Sequence, residues 1–267
     1  TLNGTYTTGG AFTANGAATL GGDTTVNGGA AVLFAGTVDG AQALVINSKG
    51  ATQFTGTVGG TTALASLTTD AGTSSLRNVT TTGAQTYNDA VTLNGIYTTG
   101  GAFTANGAAT LGGDTTVNGG SSVLFAGTVD GAYALAVNNK STTQFTGTVG
   151  GTTALASLTT DATGTSSLKS VTTTGAQTYN DAVTLDGTYT GGTVTTNAAA
   201  TLGGATTVNA GTATFNGTVN GAQALTIAGT GTAQFNAAVG GTTALASLTT
   251  NAGASVSLLN VTTTGAQ

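Results

Sequence analysis

The chain of 267 residues contains no cysteine, proline, methionine, tryptophan or histidine, and its nine acidic residues are all aspartate. Without cysteine no disulfide can form, so the sequence gives no indication of redox compartment. Without histidine, cysteine and glutamate, the usual nucleophile–base pairs and most zinc or transition-metal sites cannot be assembled. The sequence therefore predicts no catalytic, cofactor-binding or metal-ligating residue and no cofactor, and we expect that the chain is not an enzyme.

Charge is also scarce, because charged residues make up 5% of the chain and the net charge is −5. Four lysine and arginine residues cannot form a dense basic surface for phosphates, so nucleic acid is not expected as a partner. No apolar run of about 18 residues is present, and no charged segment precedes a shorter apolar one, so this segment shows neither a membrane span nor a signal peptide. We expect any export signal to lie outside it.

Three copies of one unit fill the chain. The phrase Val-Thr-Thr-Thr-Gly-Ala-Gln begins at Val79, Val171 and Val261, at intervals of 92 and 90 residues. Small slips of this kind are typical of stacked structural units, because turns absorb insertions and core strands do not. The expected organisation is repeat unit 1 at residues 1–91, unit 2 at 92–183 and unit 3 at 184–267, forming one continuous solenoid that is a fragment of a longer chain.

A shorter period runs inside each unit. The frame F-x-G-x-V-x-G-x-x-A-L begins at Phe34 and again at Phe54, 20 residues later. Short apolar or threonine-rich runs alternate with Gly-Gly, Asn-Gly and Asp-Gly, a pattern that indicates strands and turns rather than helices. Strands of about 3 to 5 residues are seldom stable alone, but parallel stacking lets neighbouring turns satisfy each other's backbone groups. We therefore predict an all-β parallel β-solenoid of roughly 9 to 10 coils.

An array of three immunoglobulin-like β-sandwich modules is the alternative fold. Asn94-Gly95 between two apolar runs is a strong hairpin signal, and a unit near 91 residues has the size of one sandwich. The 20-residue period, the short strands and the absence of tryptophan and cysteine disfavour it. Asn-Gly can equally form a solenoid corner, because both residues tolerate positive φ.

The aspartates are predicted to be turn residues, because most of them change between copies. Asp/Asn exchange keeps a side-chain oxygen for a turn hydrogen bond and removes the charge. The equivalent sets are Asp39, Asp130 and Asn220; Asp70, Asp161 and Asn251; Asp23, Asp114 and Ala205; Asn3, Asn94 and Asp186. A polysaccharide-cleaving carboxylate pair is disfavoured because it would be partly lost in the third copy, and calcium binding because several acidic oxygens around one ion are required.

The cationic, aromatic and threonine residues can also be compared between the copies. The cations are predicted to be solvated, because Lys49 and Lys140 become Thr230 while Arg77 and Lys169 become Leu259. Most aromatic positions keep their bulk and indicate core stacking, whereas Tyr133 replaces glutamine and is expected at the surface. Ice binding is disfavoured because Thr-Thr-Thr recurs once per long unit and not once per coil; strand propensity explains the threonines instead.

The segments 59–69 (GGTTALASLTT) and 79–93 (VTTTGAQTYNDAVTL), with the frame F-x-G-T-V-x-G, resemble the β-strand repeats of filamentous-haemagglutinin-like adhesins and autotransporter-type bacterial exoproteins. The likeness covers essentially the whole chain and brings no catalytic motif. It implies a right-handed parallel β-helix, exported to the bacterial cell surface.

From this resemblance we expect a non-catalytic extracellular structural fibre or adhesin stalk that self-assembles into filaments. The expected partners are further copies or neighbouring repeats of the same long chain, with surface glycans as an alternative. A glycan-binding adhesin surface is the second function considered.

Overall fold

The computed structural model describes residues 1–70, 72–251 and 255–267. These residues form 28 strands and no helix. In chain order the first strands are Leu2–Thr8 (β1), Phe12–Ala14 (β2), Ala18–Gly28 (β3), Val32–Phe34 (β4), Val38–Asp39 (β5), Ala43–Ser48 (β6), Ala51–Val58 (β7), Ser66–Asp70 (β8), Thr73–Thr81 (β9), Gln85–Tyr87 (β10), Ala90–Thr99 (β11), Phe103–Ala105 (β12), Ala109–Gly119 (β13) and Val123–Phe125 (β14). The remaining strands are Val129–Asp130 (β15), Ala134–Asn139 (β16), Thr142–Phe145 (β17), Ser157–Thr160 (β18), Thr165–Leu168 (β19), Val171–Thr172 (β20), Ala176–Tyr179 (β21), Ala182–Thr196 (β22), Ala200–Phe215 (β23), Val219–Asn220 (β24), Ala224–Ile227 (β25), Thr232–Phe235 (β26), Ser247–Thr250 (β27) and Val256–Ser257 (β28).

The chain divides into two compact units. Unit 1 contains Thr1–Val129 and Asn138–Lys140, and unit 2 contains Asp130–Val137 and Ser141–Gln267. Each unit is a right-handed parallel β-solenoid, as the sequence predicted, and the turns number about 13 along the chain. The expected 9 to 10 coils were too few, because most turns take only 18 to 20 residues, as the pairings of Leu67 with Gln85 and of Thr24 with Leu44 show.

In unit 1 each turn adds one strand segment to each of three stacks. One inward column contains Tyr6, Val26, Ile46, Thr69, Tyr87, Ala105 and Phe125, each paired in register with the next. Because alternate residues of a strand point to opposite sides, the residues between these positions point outward. The core of the unit is therefore a set of inward columns that run from turn to turn.

Unit 2 is built in the same way. One of its inward columns contains Val149, Val171, Tyr189, Val208 and Ile227, again paired in parallel. All five side chains are buried. The apolar residues that recur in the sequence are thus those that fill the interior.

The long repeat does not span a whole number of turns. In unit 1, four pairings lead from Tyr6 to Tyr87, and the equivalent residue Tyr97 lies two stacks further on, in the column of Val79 and Val117. One repeat therefore takes about four and two-thirds turns. The same relation holds inside unit 2, where Val239 pairs with Val219 and Val261 and not with the column of its equivalent, Val149.

Asn94-Gly95 is not a hairpin. Strand β11 continues through this dipeptide, with a register shift against both neighbouring strands and a φ of +98° at Gly95. The positive φ bends the strand at a corner between two stacks. The sandwich alternative is therefore wrong, because the strand pairings described within each unit are parallel.

The two glycines of the frame F-x-G-x-V-x-G are required for different structural reasons. At Gly36 a Cβ atom would lie 2.4 Å from the backbone of Gly16 in the preceding turn, so that position has no space for a side chain. At Gly40 the backbone φ is +128°, a value that L side chains rarely adopt. Close approach of turns and corner geometry therefore place glycine at fixed points of the frame.

Aromatic rings stack along the interior, as the sequence predicted. Phe34 and Phe54 lie with centroids 5.0 Å apart and planes 2° apart, and Phe215 and Phe235 with centroids 4.8 Å apart and planes 4° apart. All four rings are buried. The 20-residue spacing of phenylalanines is thus the spacing of one turn.

Candidate binding surface

One surface of unit 2 carries a regular array of small polar side chains. Five successive strand segments contribute to it: β18, β21, the end of β22, the end of β23 and β26. The outward side chains of these segments are called the unit 2 strip. Its rows are Ser157, Thr159 and Asp161; Ala176, Thr178 and Asn180; Thr193, Thr195 and Asn197; Thr212, Thr214 and Asn216; Thr232, Gln234 and Asn236.

The central column of the strip is threonine in four consecutive rows. Thr159 pairs with Thr178, Thr178 with Thr195 and Thr195 with Thr214, without a register shift in this stack. These side chains are half-buried among their neighbours, and the side-chain hydrogen bonds along this surface are made by the adjacent asparagines and not by these hydroxyls. Each hydroxyl has one donor and two acceptor positions, so the column presents unused hydrogen-bonding groups to solvent.

The third column is a chain of linked amides. Asn236 Nδ2 donates to Asn216 Oδ1 at 2.7 Å, Asn216 Nδ2 to Asn197 Oδ1 at 2.7 Å, and Asn197 Nδ2 to Asn180 Oδ1 at 2.6 Å. Asn180 Nδ2 then donates to the carbonyl oxygen of Thr160 at 2.7 Å. The bonds point in one direction, so the amides polarise one another, and the column is held in a fixed position beside the threonines.

Unit 1 contains the equivalent surface in a less regular form. The outward side chains of β8, β10, β12 and β14 are called the unit 1 strip. Its rows are Ser66, Thr68 and Asp70; Ala84, Thr86 and Asn88; Ala102, Thr104 and Asn106; Ser122, Leu124 and Ala126. A single amide link is present in its third column, from Asn106 Nδ2 to Asn88 Oδ1 at 2.7 Å.

These strips correct one step of the sequence reasoning. The Thr-Thr-Thr motif recurs once per long repeat, but an outward threonine recurs in nearly every turn of both strips. The threonines come from unrelated phrases, such as Leu158-Thr159-Thr160 and Gln177-Thr178-Tyr179. Counting one motif therefore underestimated the density of hydroxyl groups on a single surface.

Two aspartates are buried at a corner between stacks. Asp181 Oδ1 accepts a hydrogen bond from Thr160 Oγ1 at 2.7 Å, and its Oδ2 accepts one from Ser166 Oγ at 2.5 Å. Burial raises the pKa of Asp181 above its usual value, although these hydroxyl donors oppose the shift. The carboxylate therefore links three chain segments across the corner.

Asp89 repeats this arrangement in unit 1, with donors Thr69 Oγ1 at 3.0 Å and Ser74 Oγ at 2.6 Å. The turn role predicted from sequence concerned the aspartates that change between copies, and no role was predicted for Asp89 or Asp181. Strand alternation gives a signal that could have found them, because Tyr87 points inward and Asp89, two residues later, has the same parity.

A glutamine in the repeated Thr-Gly-Ala-Gln phrase is also buried. Gln177 Nε2 donates to the carbonyl oxygen of Thr190 at 2.8 Å, and Gln177 Oε1 accepts from the hydroxyl of Tyr179 at 3.0 Å. Gln85 and Tyr87 form the same pair in unit 1. Burial raises the pKa of both tyrosines well above the usual value, so these phenols stay neutral and act as hydrogen-bond donors.

The predicted turn role is confirmed for the set Asp39, Asp130 and Asn220. Asp39 Oδ1 accepts from the backbone N–H of Thr61 and Thr62, Asp130 Oδ1 from the equivalent pair in unit 2, and Asn220 Oδ1 from Thr242 and Thr243. One oxygen serves in all copies, so the charge is dispensable. Asp23 likewise accepts from the N–H of Ala43 at 2.9 Å.

The remaining predicted surface residues lie where the sequence placed them. The four cationic side chains, Lys49, Arg77, Lys140 and Lys169, are exposed, and Tyr133 is 42% exposed. A shallow groove of about 420 Å³ on unit 1 is lined by Gln53, Ser75, Arg77 and Asn94 among others. Because leucine replaces the cation of this groove in the third repeat, the groove is not a repeated binding feature.

Within the described part of the chain, no group of three or more aspartates is arranged to hold a metal ion. The same residues include no helix that is long and apolar enough to cross a membrane. Comparisons with protein-family models, curated proteins and solved structures return no match.

Proposed function

We propose that the chain is a non-catalytic structural segment of an extracellular fibre or adhesin stalk on a bacterial cell surface, whose partners are further repeats or copies of the same chain. The observation that supports this most is the parallel pairing of turn on turn inside each unit. Each added turn satisfies the backbone groups of the one before it, so the fold extends without needing a new core.

The polar groups of the interior support the same proposal. The buried aspartates are bonded to hydroxyl groups of neighbouring turns, and the buried glutamines to backbone carbonyl oxygens. An aspartate that serves as general acid or base needs access to a substrate. Asp89 is 6% exposed and Asp181 is 2% exposed, which fits a role in joining turns.

Glycan binding has less support from the surface. Aromatic rings on a protein surface provide broad, rigid contact area for a ligand. Among the described residues the exposed aromatic ring is that of Tyr133, and glutamine replaces it in the other copies, at Gln42 and Gln223.

The fibre proposal is tested by changing the number of repeats. A variant in which residues 92–183 are duplicated gains about four and two-thirds turns, so its particles should lengthen by about 22 Å at about 4.8 Å per turn. Deletion of the same residues should shorten them by the same amount. Electron microscopy and small-angle X-ray scattering measure both lengths. Particles whose width grows while their length stays constant would contradict the proposal.

A further inference from the structure

We infer that the unit 2 strip binds ice. Three properties of the strip support this binding: the spacing of its hydroxyl groups, its low charge and its regularity. None of them depends on the chain being a fibre.

The spacing of the rows is close to a distance that occurs in ordered water. Two water molecules bound to the same third one, with O–H···O distances of about 2.75 Å in tetrahedral geometry, lie about 4.5 Å apart. Successive rows of a parallel stack lie about 4.8 Å apart. Over the four rows Thr159, Thr178, Thr195 and Thr214 the difference adds up to about 1 Å, which is well below one hydrogen-bond length. Waters bound to these hydroxyls can therefore occupy neighbouring positions of an ice lattice.

The composition of the strip favours a neutral, ordered partner. Thr193, Thr195, Thr212 and Thr214 are uncharged, and the acidic Asp161 stands in the first row only. A surface whose only charged group is one carboxylate gives no attraction to nucleic acid or to acidic substrates. It also has no outward aromatic ring on which a sugar could stack. Hydroxyl, amide and methyl groups on a fixed sheet match the surface of ice better than that of a polysaccharide.

The asparagine column keeps the array rigid. Amide links hold Asn180, Asn197, Asn216 and Asn236 in one line, and the β-branched threonines have few rotamers. A surface that is already ordered loses little conformational entropy when it binds. The strip is thus pre-organised for a rigid, repeating partner.

The test measures thermal hysteresis and inhibition of ice recrystallisation with the full chain. In Thr195→Lys a long charged side chain stands in the centre of the strip, so the concentration needed for half-inhibition should rise by about tenfold or more, equivalent to about 1.4 kcal/mol of binding. Thr242→Lys, at an exposed corner outside the strip, is the matched control and should behave like the unchanged protein.

Thr195→Val removes one hydroxyl and keeps the side-chain shape, and circular dichroism verifies the fold of each variant. If Thr195→Lys does not fold, a loss of activity in Thr195→Val supports the inference. No thermal hysteresis and no recrystallisation inhibition by the unchanged chain would overturn it, and so would an equal loss in Thr195→Lys and Thr242→Lys. Sedimentation with crystalline cellulose, lost in Thr195→Lys and without any effect on ice, would overturn it and assign the strip to a polysaccharide.

Discussion

The two strips differ most in their fourth row. Unit 1 has Ser122, Leu124 and Ala126 where unit 2 has Thr212, Thr214 and Asn216, while the first two rows are identical in their outward residues. The inward neighbours remain bulky in both units, with Phe125 and Phe215 buried. The interior of a turn is therefore constrained by packing, whereas its outward residues can change from a regular polar array to an interrupted one without changing the fold.

If the two strips differ only in their outward residues, loss of a buried ring on the inward side of either strip should lower stability by a similar amount. Phe215→Ala and Phe125→Ala each remove a buried ring that contacts a ring of a neighbouring turn. Each should lower the free energy of unfolding by about 3–5 kcal/mol, because the cavity is only partly refilled. Urea denaturation followed by circular dichroism measures this. A loss below about 1 kcal/mol in one unit only would show that the two cores are not equivalent.

Removal of an asparagine side chain should affect the stability of the two strips differently. Asn197 makes two side-chain amide bonds, to Asn180 and from Asn216, whereas Asn106 makes one, to Asn88. At about 0.5–1 kcal/mol per exposed bond, Asn197→Ala should cost about 1–2 kcal/mol and Asn106→Ala about half as much. Denaturation midpoints compare the two variants, and equal losses would contradict a cooperative amide chain in unit 2.

The stability of unit 2 should depend on pH through Asp181. Burial raises the pKa of this carboxyl group in the folded state above its unfolded value. Its contribution to stability is therefore fully present below the unfolded pKa and is lost as the pH rises through the folded one. Relative to Asp181→Asn, the unchanged protein should gain stability as the pH falls from 7 towards about 4. Urea midpoints at several pH values show the trend, and the opposite slope would contradict the assigned direction.

The smallest effect on stability is expected when the fourth row of the unit 2 strip is introduced into the unit 1 strip. Leu124→Thr with Ala126→Asn gives unit 1 the central and third residues of the fourth row of unit 2. Stability should change by less than about 0.5 kcal/mol, because these positions lie at the surface. Recrystallisation inhibition should increase, because four consecutive threonines would then stand in the central column of unit 1. The reverse change, Thr214→Leu with Asn216→Ala, should decrease it, and no change in either variant would count against the importance of the fourth row.

Much of the fold could be predicted from the sequence, because the determining signals are local and repeated. The 20-residue return of Phe34 at Phe54 is the length of one turn, although the expected 9 to 10 coils allowed for longer turns. The exchange of Asp39 for Asn220 correctly indicated the role of the side-chain oxygen. The corner at Asn94-Gly95 was open to two interpretations, because positive φ at glycine serves a hairpin and a solenoid corner equally. The parallel neighbours of β11 decided between them.

The candidate surface could not be predicted in the same way. Thr178, Thr195 and Thr214 come from different phrases of the sequence and meet only because one turn takes 17 to 19 residues between them. The buried position of Asp181 likewise depends on Thr160 and Ser166, which lie 21 and 15 residues away along the chain. Contacts of this kind depend on register, and register is a property of the paired turns.

The sequence by itself determined the strand alternation, the repeat and the residues that fill the interior, since these follow from side-chain parity and from bulk retained between copies. The tertiary structure alone decided that one repeat takes about four and two-thirds turns, that equivalent residues lie on different stacks, and which threonines stand in one column. The physical reason is that parity is set within a strand, whereas stacking is set by hydrogen bonds between residues about 20 positions apart.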